Sequence, residues 1–146
     1  MTQEEKDLLM KDLCARLPYG VKVQIDLQSN IYPPIICKVC NIEFAEYGGS
    51  FIGVEVLPDS YSEYREFLCK PYLFPLSSMT KEQYEEWCDL EADPLDEILT
   101  RKANGEKMST LEHHLLIAKS LTDSVNYCYK NHFDIYGLIE KGLAND

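Results

Sequence analysis

Arginine is scarce in this chain of 146 residues: Arg16, Arg65 and Arg101 are its only three, and the 14 basic side chains face 25 acidic ones, for a net charge of −11. The longest basic run is the pair Arg101-Lys102. A nucleic-acid interface needs a dense basic patch that releases counterions from phosphates, so direct nucleic-acid binding is not expected. Long apolar runs are missing too, and none approaches the ~20 residues that span a bilayer. The opening Met1-Thr2-Gln3-Glu4-Glu5-Lys6-Asp7 is polar and acidic, the reverse of an export signal. A cytoplasmic protein without membrane contact is therefore expected. A glycine-rich phosphate loop, G-x-S-x-G and H-E-x-x-H are absent, as are internal repeats and low-complexity linkers.

What is present is ample core material, 45% hydrophobic residues, in a length that suits one domain. Thr2 with Glu5 forms a capping-box pattern, and Pro18 and Gly20 close a helix whose face carries Leu9, Met10, Leu13, Cys14 and Leu17. Glu5, Asp7, Lys11, Asp12 and Arg16 are expected in water. The period then changes to two. Val21, Val23 and Ile25 alternate with Lys22, Gln24 and Asp26, and strands follow at Ile35 to Phe44 and Phe51 to Leu57. Turns are expected at Ser29, Asn30, Pro33 and Pro34, at Gly48-Gly49, and at Pro58-Asp59-Ser60. Residues 61–68 fit a short helix, with Ser60 and Glu63 as its capping pair. Tyr72 to Phe74, between two prolines, suits only a short edge strand, which would close a small barrel-like sheet.

Residues from Thr80 onward read as helical. Thr80 with Gln83 caps a first helix, which Asp93-Pro94 is expected to break; a second, bearing Leu95, Ile98 and Leu99, stops at Asn104-Gly105. Ser109 with Glu112 caps the longest helix. Its stripe of Leu111, Leu115, Ala118, Leu121, Val125 and Cys128 is expected to be buried. Ile135, Leu138, Ile139 and Leu143 suggest a last short helix ending at Gly142. The expected fold is α+β: an N-terminal helix on a small antiparallel sheet, for which an SH3-like arrangement is one form, followed by a C-terminal helical section. Residues 1–146 form a single domain in this reading, with a helix-plus-β part at 1–78 and a helical part at 79–146.

Cys37-Lys38-Val39-Cys40 is the one motif that invites metal or redox chemistry. On a strand, residues three apart point to opposite faces, and no second pair completes four ligands. The six cysteines, without an export signal, are expected as buried thiols rather than disulfides. His113 and His114 diverge by about 100° on a helix and cannot share one metal. His132 is expected just past the longest helix, as a cation at its carboxyl end; with Cys128 it lacks an orienting third group or oxyanion site. The carboxylates Glu82, Glu85, Glu86, Asp89, Asp93, Asp96 and Glu97 are expected on a solvated face. No catalytic residue, metal ligand set or cofactor is assigned. Among the ten tyrosines, Tyr61, Tyr64, Tyr127 and Tyr129 are the candidate partner-binding anchors, because Tyr and Trp join apolar area to a polar tip.

Three stretches carry a resemblance: Leu13 to Val23 (LCARLPYGVKV), Lys70 to Thr80 (KPYLFPLSSMT), and Asn131-His132-Phe133-Asp134 with Gly137 to Leu143 (GLIEKGL). They resemble a family of small uncharacterised proteins encoded by gut Bacteroides species and their phages or mobile elements. Residues 29–60 and 90–125 depart from that pattern. The resemblance implies a bacterial or phage cytoplasmic setting and carries no catalytic residue across. The expected function is a non-enzymatic protein-interaction or accessory module, with a protein partner for which the charge favours a basic one. An acidic nucleic-acid mimic that occupies a basic site is the alternative, and a small hydrolase comes third.

Overall fold

The computed structural model describes residues 1–29, 31–45 and 49–146, apart from the side chain of Glu91. Asn30 and Gly48 of the expected turns lie outside the described residues. The chain has an α+β architecture of two compact units, the first comprising Met1–Leu76 with His132–Asp146 and the second Ser77–Asn131. The section expected to be helical over 79–146 thus divides at Asn131.

In the first unit, helix α1 (Gln3–Arg16) begins with the Thr2/Glu5 capping box. Five strands follow: β1 (Lys22–Ile25), β2 (Ile35–Phe44), β3 (Ser50–Leu57), β4 (Ser60–Arg65) and β5 (Cys69–Pro71). Their order is β4-β3-β2-β1-β5 and every neighbouring pair is antiparallel, so β4 and β5 stand at the two ends. Leu9 and Leu13 of α1 join Val23, Ile25, Val39, Ile52 and Val54 of the sheet in one core. The register places alternate residues of each strand in that core, as the two-residue period requires.

Four expectations about this unit are corrected, the first being the edge strand, which is Cys69–Pro71 and not Tyr72 to Phe74; Tyr72 and Phe74 form isolated bridges. Residues 61–68 are not a helix: β4 pairs with β3 through Glu55–Tyr61 and Ile52–Tyr64, and only Glu66–Leu68 forms a 3-10 turn. Strand pairing across the Asp59 turn, where φ is 62°, overrides the local Ser60/Glu63 pattern. Residues 132–146 also form no helix. They return to the core as turns, with bridges Phe74–Phe133 and Tyr72–Asn145, and bury Leu138 and Leu143. The Asp134 carboxylate accepts from the amides of Leu138 and Ile139, each at 2.9 Å, and so holds the turn in place of helical hydrogen bonds.

Asp12 and Arg16 are not in water; both are fully buried. Arg16 donates through Nε and Nη2 to the two carboxylate oxygens of Asp12, at 2.7 and 2.8 Å, and through Nη2 to the Phe133 carbonyl at 2.7 Å. The pair neutralises itself, which is how two charges one helical turn apart survive in a core. It also ties α1 to the returning C-terminal segment.

The second unit is a helical hairpin of α2 (Lys81–Ala103) and α3 (Thr110–Lys130). Both helices start with the expected capping boxes, Thr80/Gln83 and Ser109/Glu112. Gly105, at φ 76°, turns the chain after α2, its amide bonding Lys102 and that of Glu106 bonding Arg101. The break expected at Asp93-Pro94 does not occur: α2 runs through Pro94.

Candidate interaction surface

Proline inside a helix removes one amide donor and leaves the carbonyl four residues earlier without its partner. In α2 that carbonyl belongs to Leu90, and the buried Ser120 hydroxyl of α3 donates to it at 2.8 Å. The hairpin thus repairs the proline defect across the helix pair. A second link lies two turns away, where the Tyr127 hydroxyl donates to Glu86 at 2.9 Å. Desolvation and the Glu86 carboxylate push that phenol up to about 12. These two links and the short connection make the helices antiparallel neighbours.

The stripe of α3 that the sequence assigns to a core is not buried, and this is the main correction within the hairpin. Leu111, Leu115, Leu121 and Val125 are 42–67% exposed. The residues of α3 that are buried are Ser120, Ser124, Cys128 and Tyr129. On α2, Tyr84, Leu95 and Leu99 are exposed as well, whereas Ile98 is buried. At helical spacing Leu95 and Leu99 share one side of α2, and Ile117 and Leu121 one side of α3. Leu95, Ile98, Ile117 and Leu121, with Pro94, His113 and Ser120, line one groove of about 270 Å³ along the hairpin. Besides Ser120 and Ser124, Ile98 of α2 and Cys128 and Tyr129 of α3 are buried, while Leu95, Leu99, Ile117 and Leu121 stay exposed.

This face has an acidic border on one side only. Relative to Leu99, the residues Glu85, Asp96 and Asp89 follow at about 40°, 60° and 80° around α2, and all three are exposed. Among the described residues, Lys81 pairs with Glu85 at 3.5 Å and Arg101 with Glu97 at 2.6 Å, and neither ion pair uses Asp89 or Asp96. Helix α2 carries eight carboxylates against three basic side chains, whereas α3 carries two of each. The outer side of α3 is apolar at Leu111 and Leu115.

The candidate anchors are dispersed. Tyr61 is exposed on β4 and lines a shallow depression of about 420 Å³ with Cys40, Asn41, Gly53, Ser62 and Glu63. Tyr64, on the opposite face of the same strand, is half-buried against the core. Tyr127 is half-buried in the hairpin and Tyr129 is buried. The structure brings no two of these four into one site within either unit. The sequence marks Leu95, Leu99 and Leu121 by their periodicity but reads them as core, and Ile117 lies outside the stripe it marks.

Cys37 is buried and Cys40 exposed, on opposite faces of β2, and burial raises the Cys37 thiol. His113 and His114 are exposed at the start of α3. His132 follows α3 with φ 58°, and burial followed by the nearby Arg16 charge lowers its pKa. That direction corrects the cationic helix-end role, since a neutral imidazole is favoured. Among the described residues, no three His, Cys, Asp or Glu side chains are grouped to hold a metal ion, and no helix is long and apolar enough to cross a membrane. No protein-family model, curated protein or solved structure matches this chain.

Proposed function

We propose that this protein is a non-enzymatic interaction or accessory module of the cytoplasm of a bacterium, or of its phage or mobile elements, and that it docks a protein partner on the groove face of the α2–α3 hairpin. The observation that carries this reading is the exposure of large apolar side chains on both helices along one groove. Leu95, Ile117 and Leu121 stand 43–61% exposed along it, and an exposed apolar patch of this kind marks a docking site. Burial of that surface on a partner would contribute the main driving force for association. An acidic mimic of nucleic acid draws support only from the net charge, since it makes no use of the apolar groove.

A photoreactive residue placed at position 121 is expected to give one dominant protein adduct in native host cells, while the same residue at Glu97, about 160° around α2 from Leu95 and outside the groove, gives none. Absence of an adduct from 121, or the same adducts from both positions, would remove the reading.

A further inference from the structure

The occupant of the groove can be narrowed by charge. This step rests on the docking reading above and adds the chemistry of the partner. We propose that the groove takes an amphipathic helix of another protein, with a broad apolar stripe flanked by lysine or arginine along one edge only.

The groove exposes large apolar side chains from both helices, Leu95 from α2 and Ile117 and Leu121 from α3. A single helix laid along two antiparallel helices inserts side chains at spacings of three, four and seven, which suits a groove bounded by Leu95 and Ile98 on one wall and Ile117 and Leu121 on the other. The partner's edge over α2 meets Asp96 and Asp89, outside the helix ion pairs described above, and Glu85 beside them. Its edge over α3 meets the exposed Val125, one turn from Leu121. A second copy is disfavoured by charge, because each copy brings a net charge of −11 and α2 sets eight carboxylates against three basic side chains. A basic edge on one side and an apolar one on the other also fix the orientation of the partner about its own axis.

The test uses the full chain and two labelled helical peptides of about 22 residues with one shared leucine stripe, one flanked on one edge by lysines and the other by glutamates. Sedimentation is expected to show a monomer, and fluorescence anisotropy at low salt to show at least ~10-fold tighter binding of the lysine peptide. That preference is expected to shrink in ~0.5 M salt. Leu121→Asp should weaken the lysine peptide by ~10-fold or more. The double variant Asp89→Lys with Asp96→Lys should reverse the preference between peptides. All variants lie at exposed positions, and far-UV circular dichroism checks that their helices are intact. Equal affinity for the two peptides overturns the charge-selected partner and leaves the docking face in place. A dimer dispersed by Leu121→Asp overturns it in favour of a second copy. Failure of both peptides to bind a monomer overturns this proposal and the docking reading together.

Discussion

Arg16 and Asp12 occupy a helix position pair, four apart, that on a surface is worth a few tenths of a kcal/mol. Full burial changes the balance: each charge pays desolvation, and Nη2 adds a hydrogen bond to the Phe133 carbonyl. Burial raises the Asp12 carboxyl and the Arg16 hydrogen bonds oppose that rise. Removing one partner strands the other. Arg16→Met is therefore expected to cost about 3–5 kcal/mol, whereas Asp12→Leu combined with Arg16→Met should recover most of the loss. Urea denaturation of the two single variants and the pair measures this directly. Additive losses in the double variant would show that the two residues act separately. None of this is legible from spacing, because the charge pattern of α1 is that of an ordinary solvated face until Phe133 arrives from the far end of the chain.

At the level of the element, Ser120 and Pro94 form a unit that sequence order conceals. Proline inside a helix costs about 3 kcal/mol relative to alanine, partly through the orphaned carbonyl. Ser120 supplies the missing donor at 2.8 Å. Ser120→Ala is expected to destabilise the hairpin by about 1–3 kcal/mol in the presence of Pro94. With Pro94→Ala, the restored amide meets the Leu90 carbonyl, and the same Ser120→Ala change should cost less than half as much. A thermal-denaturation double-mutant cycle followed at the helical signal reads the coupling, and a coupling near zero would reject the repair. The contrast with the capping boxes is instructive. Thr2/Glu5, Thr80/Gln83 and Ser109/Glu112 all form as the sequence indicates, since each needs only residues three apart. Residues 61–68, Pro94 and residues 132–146 depart from their local pattern because β3, Ser120 and the Phe74 bridge decide them from a distance. The candidate surface was half legible: Leu111, Leu115, Leu121 and Val125 announce a stripe, but periodicity cannot say whether the chain itself or another protein covers it.

On the scale of the whole molecule, the hairpin is an insertion. The first unit is built from residues 1–76 and 132–146, and the chain leaves and re-enters it beside Phe74, whose amide bonds the His132 carbonyl at 2.9 Å. The returning segment completes the core with Leu138 and Leu143 and receives the Arg16 hydrogen bond. A protein that docks partners through an inserted hairpin can change that hairpin without rebuilding its support, provided the two ends of the insertion stay close. The consequence is specific. Replacing residues 77–131 by a Gly/Ser linker of about eight residues, enough to span the gap between Leu76 and His132, should leave a cooperatively folded first unit. Residues 1–76 alone should not fold, because Leu73 and the Asp12–Arg16 pair would lose the segment that covers them. Dispersed amide signals in proton–nitrogen NMR spectra are expected for the linked chain and collapsed ones for residues 1–76. If residues 1–76 gave a dispersed spectrum by themselves, the C-terminal segment would be an accessory to that core; if the linked chain failed while the full chain folded, the hairpin would be part of the support and not a free insertion.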